Sequence, residues 1–272
     1  MKFIDCHNHS SYSFDAESSV YDMCLSAKRA GLTAFAITDH ADVNVFEKYD
    51  IGNRIQNSLA EISNVKSQFS DMKIIAGIEL GQPLQDTARA NQLLSLEGLD
   101  FVIGSLHNLN KEKDFYYYDF KNASHEAIID MLNRYYQELY DMAAHSDYDI
   151  LGHITYPYRY YYQAKLTDCE IALPFESCKE SITKILKEVI QRGKGIEINT
   201  SGLRQTMNKT MPSEDIIRLY RQLGGVYLSI GSDAHNANDV FKGIKDGHEL
   251  AKRAGFQYVT YYENRKPVML KI

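Results

Sequence analysis

The chain contains 272 residues, which is enough for one large domain or two small ones. Hydrophobic residues make up 44% of it and charged residues 24%, a composition typical of a globular protein with a large core. The formal net charge of -6 argues against a broad surface for nucleic acid or anionic membrane, but it is compatible with a local cationic pocket.

The N-terminus and the cysteines favour an intracellular protein. Residues 1–7 show no leader-peptide pattern, and no stretch approaches the roughly 18 apolar residues of a membrane span. The four cysteines form no CxxC pair and are expected to be free thiols; they are Cys6, Cys24, Cys169 and Cys178. We therefore predict a cytoplasmic location and no membrane or nucleic-acid partner.

Short apolar runs alternate with helical patterns along the chain. The predicted strands cover residues 3–4, 34–37, 74–78, 101–104, 150–152, 195–199 and 226–230. The predicted helices cover residues 19–30, 54–69, 86–96, 124–144, 175–191, 212–223 and 239–254, and most are followed by a glycine. The tail, residues 257–262 and 268–270, has the pattern of a terminal hairpin.

Seven strand–helix units predict an α/β fold, a (β/α)7 barrel that is complete or incomplete and forms one domain over residues 1–272. The strands are continuous apolar runs, as expected for parallel strands that are buried on both faces. An open, doubly wound sheet is the alternative. Such a sheet would gather functional groups only at its switch point, and not from six strands.

Side chains that bind metals follow six of the predicted strands at their C-terminal ends. They are His7 and His9, His40, Glu79, His107, His153, and Asp233 with His235. If the strands are parallel, all of these groups meet at one mouth, which favours metal-dependent catalysis. A lone histidine is more often structural, and we keep that interpretation for His125, His145 and His248, which lie within helical patterns.

Several segments resemble the four-motif signature of the polymerase-and-histidinol-phosphatase (PHP) superfamily. They are residues 7–15 (HNHSSYSFD), 38–40 (TDH), the isolated Glu79, 105–107 (SLH) and 231–235 (GSDAH). Residues 197–204 and 232–236 look like the histidinol-phosphatase branch in particular. The resemblance extends from residue 3 to about residue 244, and it implies a distorted (β/α)7 barrel with a metal site at the C-terminal ends of the strands.

The resemblance also implies three divalent metal ions. One would be held by His7, His9, Glu79 and Asp233, a second by Glu79, His107 and His153 with Glu79 bridging, and a third by Asp15, His40 and His235. Many relatives carry histidine at the position of Asp15. A carboxylate there makes the ligand set harder, so zinc, iron and manganese all remain compatible.

Such a cluster suits the hydrolysis of a phosphate monoester. Two metals about 3.5–4 Å apart can hold a bridging hydroxide and contact both the entering and the leaving oxygen. With Asp15, Glu79 and Asp233 as anionic ligands, three divalent ions leave an excess of about three positive charges, or about two after hydroxide binds. A phosphate-monoester dianion would neutralise that excess.

Three further residues are predicted to serve the reaction. Arg159 and Arg204 follow the strands at 150–152 and 195–199, and we place them in loops at the mouth. Guanidinium groups bind phosphate oxygens bidentately, although each arginine has an ordinary surface role as its alternative. Asp42 follows His40 closely, where it could protonate the leaving alkoxide or anchor a ligand.

The resemblance implies hydrolysis of L-histidinol phosphate to L-histidinol and phosphate in histidine biosynthesis, by attack of a metal-bridging hydroxide. An amidohydrolase-type barrel is disfavoured, because Glu79 takes the bridging position that a carbamylated lysine normally fills. A PHP-type phosphoesterase or exonuclease with another phosphorylated substrate is the alternative, and the acidic balance counts against nucleic acid. The complete ligand set disfavours a non-catalytic module. The oligomeric state is left open.

Overall fold

A parallel sheet forms the centre of the molecule, for which a computed structural model describes residues 2–165 and 175–272. Within these residues the sheet contains β1 Ile4–Asp5, β2 Ala34–His40, β3 Lys73–Gly81, β4 Phe101–Ser105, β5 Ile150–Leu151, β6 Gly195–Asn199 and β7 Leu228–Gly231. The strands lie in chain order, and each is parallel to its neighbour. All seven strands of this sheet match predicted ones, so the strand prediction for the sheet is confirmed.

The first and last strands approach each other and nearly close the sheet into a barrel. The amide of Cys6, just after β1, donates a hydrogen bond to the carbonyl of Ile230 in β7 at 2.8 Å. Asn8 and Ala234 form an isolated parallel bridge beyond the strand ends. The C-terminal ends of the strands therefore surround one opening. The prediction of a distorted (β/α)7 barrel is confirmed, and an open doubly wound sheet is excluded.

Helices cover the outside of the barrel. In the described part of the chain they are α1 Val20–Arg29, α2 Ile51–Lys66, α3 Thr87–Leu94, α4 His125–His145, α5 Pro157–Lys165, α6 Phe175–Gln191, α7 Glu214–Gln222 and α8 Ile244–Arg253. Ser19, Asp86 and Ser124 cap α1, α3 and α4 by accepting from a backbone amide of the first turn. The sequence predicted each of these helices except α5.

The placement of Arg159 in a loop was wrong, because this residue lies in the first turn of α5. Pro157 begins the helix, a position at which its missing amide costs no hydrogen bond. The segment contains four tyrosines and no aliphatic spacing, so it carries no visible helical pattern. Arg204 does not lie in a loop either, since it ends a short 3-10 helix, Ser201–Arg204.

An antiparallel hairpin packs at the end of the barrel opposite the predicted ligands. Its strands are β8 Tyr258–Glu263 and β9 Lys266–Lys271, which confirms the predicted terminal hairpin. Asn264 and Arg265 both have positive φ, 49° and 61°, as a two-residue turn of this kind requires. The guanidinium of Arg265 donates to Asp149, just before β5, at 2.7 Å, and its amide donates to the carbonyl of Asp100, just before β4.

The remaining sequence expectations concern membranes and cysteines. No helix in the described ranges is both long enough and apolar enough to cross a membrane. Cys6 and Cys24 are buried free thiols, and burial raises the pKa of the Cys24 thiol to about 12, so that it stays protonated. Cys178 accepts a hydrogen bond from the hydroxyl of Tyr158 at 3.4 Å, and Cys169 lies outside the described residues.

Candidate metal centre

The nine predicted metal ligands lie together at the C-terminal opening of the barrel. His7 and His9 follow β1, Asp15 lies in the next loop, His40 ends β2, Glu79 lies in β3, His107 follows β4, His153 follows β5, and Asp233 and His235 follow β7. The register of β2 and β3 sets His40 directly beside Glu79. Seven of the nine are buried, and only Asp15 and His235 lie nearer the surface.

The first set consists of His7, His9, Glu79 and Asp233. Nε2 of His9 lies 3.3 Å from Oδ1 of Asp233 and 3.7 Å from Oε2 of Glu79. Nε2 of His7 lies 3.5 Å from the same Glu79 oxygen and 3.8 Å from the same Asp233 oxygen. Both Nε2 atoms are buried without a hydrogen bond in the described chain. Two unpartnered imidazole nitrogens and two carboxylate oxygens around one point fit a divalent cation.

The second set uses the other oxygen of the same glutamate. Nε2 of His153 lies 2.8 Å from Oε1 of Glu79, and Nε2 of His107 lies 3.2 Å from it. Ser105 also donates its hydroxyl to this oxygen at 2.7 Å. Glu79 thus presents one oxygen to each set of histidines, which is the arrangement of a carboxylate that bridges two cations.

The third set lies at the rim and touches the first. Oδ2 of Asp15 lies 3.5 Å from Nε2 of His40 and 3.5 Å from Nε2 of His235. The ring of His9 lies 4.3 Å from that of His40 and 4.2 Å from that of His235, measured between centroids. Nδ1 of His40 lies 3.0 Å from Oε2 of Glu79. The three donor sets therefore form one continuous cluster.

Most ligand rings are held by a hydrogen bond at the nitrogen that faces away from the cluster. The Nδ1 partners are Glu197 Oε1 for His7 at 2.7 Å, Ser13 Oγ for His9 at 3.0 Å, Asp42 Oδ1 for His107 at 2.9 Å and the Asp233 carbonyl for His235 at 3.1 Å. A metal-binding imidazole normally has such a partner, because it fixes the tautomer and the ring orientation. These contacts leave Nε2 available for a metal in all four rings.

The carboxylates around His7, His40 and His107 outweigh burial and raise the pKa of all three imidazoles, so a bound cation would replace a proton on these rings. Glu79 and His9 need no such exchange. Burial alone would raise the pKa of Glu79, but the imidazoles of His107, His7 and His40 lower it well below its ordinary value. Burial, together with the imidazoles of His235 and His40, lowers the pKa of His9 to about 3. The bridging carboxylate is therefore ionised and His9 is neutral. Both groups are in the form that a metal ligand needs.

Asp42 is positioned as an anchor. It accepts hydrogen bonds from Nδ1 of His107 at 2.9 Å and from the side-chain amide of Gln82 at 2.8 Å. A Cβ atom on Gly81 would lie 2.3 Å from its Oδ1, so only glycine leaves room for this carboxylate. Burial would raise the pKa of Asp42, but the neighbouring His107 and His40 hold it well below its usual range. This favours the anchoring role over the general-acid role.

A cleft of about 740 Å³ opens above the cluster, and Arg159 lines it together with several of the ligands. The guanidinium of Arg159 lies 5.5 Å from the ring centroid of Tyr160. Arg204 donates from Nη2 to the carbonyl of Asp233 at 3.2 Å, and its Nη1 is buried without a hydrogen-bond partner in the described chain. Arg159 therefore faces the cleft, whereas Arg204 contacts the backbone of the predicted ligand Asp233.

Comparison with known families agrees with this geometry. Residues 5–201, well over half of the chain, match the PHP domain family. The chain belongs to the PHP domain family. The fold of this PHP-domain chain is the one that the sequence motifs implied.

Relatives cover nearly the whole PHP-domain chain. It is 28% identical to histidinol-phosphatase of Lactococcus lactis over an alignment of 276 residues. The alignment covers 98% of this chain and 96% of the relative. It is 27% identical over 272 residues to a probable histidinol-phosphatase of Thermotoga maritima, with 99% of each chain covered. The structure is also similar to the crystal structure of histidinol phosphate phosphatase from L. lactis in complex with zinc, L-histidinol and phosphate. The superposition has a TM-score of 0.81 at 23% sequence identity, and it covers 98% of this chain and 99% of the L. lactis chain.

The sequence missed Glu197, the buried carboxylate behind His7. Its Oε2 also accepts from the amide of His153 at 2.9 Å and from the side chain of Asn199 at 3.3 Å. One glutamate therefore supports a ligand of each of the first two donor sets. A signal was present, because Glu197 interrupts an apolar run that is buried in the PHP barrel, where a charge needs a partner.

Proposed function

We propose that the chain is a metal-dependent phosphomonoesterase that hydrolyses L-histidinol phosphate to L-histidinol and phosphate, a step in histidine biosynthesis. The observation that carries this proposal is the cluster of nine donor residues beside the cleft, in which five histidines surround the two oxygens of Glu79. Membership of the PHP domain family and the near full-length similarity to histidinol-phosphatases support the choice of substrate.

Three divalent ions are proposed as the cofactor, with the ligands grouped as in the three donor sets. The unpartnered Nε2 atoms of His7 and His9 and the ionised Glu79 support this grouping. Bound ions would activate water and offset the charge of the phosphate. Zinc is supported by the L. lactis structure, while iron and manganese suit the same nitrogen and oxygen donors.

The structure changes the expected charge balance. Asp42 and Glu197 are carboxylates beyond the three proposed ligand carboxylates, and both contact ligand imidazoles. Three divalent ions would then leave an excess of about one positive charge, and not about three. The cationic side chains of Lys48, Lys113 and Arg159 line the cleft and add attraction for a phosphate dianion.

In this proposal the residues of the site have three roles: they hold the metal ions, fix the ligand rings and bind the phosphate. Glu79 and the histidines hold the ions, and Glu197 and Asp42 hold the rings of His7 and His107. Arg159, which lines the cleft, binds the phosphate oxygens. Arg204 is proposed to do the same with its unpartnered Nη1, while its Nη2 remains on the carbonyl of Asp233.

The test is phosphate release from L-histidinol phosphate by protein that has been stripped with a chelator and then supplied with zinc, manganese or iron. Activity should disappear on stripping and return with metal. An oligonucleotide and a panel of other phosphomonoesters serve as competing substrates. Hydrolysis that never depends on metal, or hydrolysis of the oligonucleotide alone, would reject the proposal.

We also propose that residues 1–272 form a single domain. The hairpin is bonded to the barrel through Arg265, which contacts the residues that precede β4 and β5, and through Thr260, which accepts from the amide of Leu228 in β7. Expression of residues 1–256 alone should therefore yield a protein of lower stability. The cytoplasmic location and the absence of a nucleic-acid partner stay predictions.

A further inference from the structure

A buried glutamine joins two segments that meet beside the second donor set. Gln82 directly follows β3 and is 2% exposed. Its Oε1 accepts a hydrogen bond from the backbone amide of His107 at 3.0 Å, and its Nε2 donates to Oδ1 of Asp42 at 2.8 Å. Nε2 also donates to Oδ1 of Asn44 at 3.0 Å. One side chain therefore connects the stretch after β2 with the stretch after β4.

The partners of Gln82 fix the orientation of its side-chain amide. A backbone amide can only donate and an ionised carboxylate can only accept, so Oε1 must face His107 and Nε2 must face Asp42. Gln82 also lines the cleft, but both hydrogens of its Nε2 are used by acceptors within the protein. Gln82 therefore has no donor left for a substrate, and its contacts serve the predicted ligand His107 instead.

Both ends of this amide act on the same imidazole. Oδ1 of Asp42, which accepts from Gln82, also accepts from Nδ1 of His107 at 2.9 Å. Gln82 thus holds the backbone of His107 with its oxygen and the acceptor of the His107 ring with its nitrogen. The other ring nitrogen of His107, Nε2, then lies 3.2 Å from Oε1 of Glu79, inside the second donor set.

The backbone of Gln82 indicates that a side chain is needed at this position. Its φ is 53°, in the left-handed region that glycine adopts freely and that costs other residues energy. A glycine would relieve this strain, but it would also remove all three side-chain hydrogen bonds. Strain of this kind persists only where the surrounding contacts outweigh it, and it is concentrated at functional positions.

We propose that Gln82 is a positioning residue for the second metal ion, which Glu79, His107 and His153 would hold. The proposal rests on the metal cofactor of the proposed function and adds a residue that lies outside the three donor sets. Gln82 fixes the imidazole of His107 both from its backbone and through Asp42, so that Nε2 faces the ion. In the described chain no hydrogen bond of Gln82 reaches a ligand of the other two sets, so its effect falls on the second ion.

The decisive variant is Gln82→Glu, which keeps the size of the side chain but replaces its donor by a carboxylate oxygen that faces Asp42. The matched control is Gln85→Glu, the same change on the same loop. Among the described residues the side chain of Gln85 bonds only to Asn108, through its carbonyl at 3.2 Å and its side-chain amide at 3.4 Å. A second variant, Gln82→Gly, removes the side chain at a backbone conformation that glycine adopts without strain.

Metal-free proteins are titrated with zinc in competition with a chromophoric chelator, and circular dichroism checks that each variant is folded. Both Gln82 variants should bind one zinc ion roughly tenfold to a hundredfold more weakly, the usual effect of losing a group behind a metal-binding imidazole. The remaining ions should bind as in the wild type. Gln85→Glu should leave the binding of every ion unchanged.

Two further backgrounds identify the ion that is weakened. In His153→Ala, which lacks a ligand of the second ion, adding Gln82→Glu should cause no further loss. In His9→Ala, which lacks a ligand of the first ion, the full loss should remain. Equal weakening of every ion, the reverse pattern in these backgrounds, or wild-type zinc affinity in folded Gln82→Gly overturns the proposal. The titration uses no substrate, so the predicted zinc pattern in a protein that does not hydrolyse L-histidinol phosphate would support the role of Gln82 and refute only the proposed substrate.

Discussion

Replacing Glu197 by glutamine tests whether the carboxylate behind the cluster controls metal binding. Glu197 is 1% exposed, and its two oxygens accept from two different donors, Nδ1 of His7 at 2.7 Å and the amide of His153 at 2.9 Å. A glutamine side chain has one oxygen, so its amide group must face one of these two donors. There is little space for it to move, since a Cβ on Gly231 would lie 2.5 Å from Oε1 of Glu197.

The size of the effect follows from these contacts. The bond to His7 is short, buried and charge-assisted, and such a bond contributes about 1.5–3 kcal/mol. Loss of a partner behind a metal-binding imidazole typically weakens metal affinity about tenfold to a hundredfold. We therefore expect Glu197→Gln to weaken at least one metal site by that factor. Glu197→Asp keeps the charge but cannot reach both donors, so its effect should be intermediate.

Metal affinity is measured by competition with a chromophoric chelator, and metal content by elemental analysis after dialysis. The control is Glu249→Gln, which changes an exposed glutamate on α8 that pairs with Lys252. Circular dichroism and a thermal melt of the metal-free proteins check that the barrel is still folded. A folded Glu197→Gln protein that binds every metal ion as tightly as the wild type would refute the reasoning.

Three further predictions concern residues that the sequence singled out. Glu79→Ala should lose metal from two sites at once while His125→Ala keeps full content, and full content in Glu79→Ala would end the bridging assignment. Arg159→Met and Arg204→Met should each lower kcat/KM roughly tenfold to a hundredfold and weaken inhibition by free phosphate, while the metal content stays unchanged. Lysine at either position should restore the activity only in part. Unchanged kinetics in both Met variants would show that the two arginines are surface residues. Burial lowers the pKa of His248 to about 4, below its unfolded value of 6.5, so it stays neutral in the folded state while the unfolded chain gains a proton. Stability should therefore fall by up to about 3 kcal/mol more in the wild type than in His248→Gln as the pH drops from 6.5 to 4, and equal losses in urea titrations would contradict this.

The barrel and the positions of the donors were predictable because both leave local patterns. Parallel strands that are buried on both faces appear as apolar runs, even where the regular strand has only two residues, as in β1 and β5. The residue types that bind metals follow those runs directly. α5 was missed for the opposite reason, since four of its nine residues are tyrosines and its one signal is Pro157.

The contacts behind the ligands could not be predicted, because they join distant parts of the chain. Asp42 and His107 are 65 positions apart and meet only when β2 and β4 lie in one barrel. Asp114 and Tyr160 line one cleft only because the stretch after β4 and α5 reach the same side of the opening. No periodicity encodes these distances, so the sequence left two roles open for Asp42.

Glu197 lies between these two cases. A carboxylate in the middle of a buried strand is unfavourable unless it is paired, so the sequence of β6 already requires a partner for it. Residues two apart share a face of a strand, which places Asn199 on the same side as Glu197. Asn199 donates to Oδ2 of Asp233 at 3.2 Å, and Glu197 supports His7 and His153. A strand without a metal ligand at its end thus still serves the centre, because its polar face holds the ligands that neighbouring strands provide.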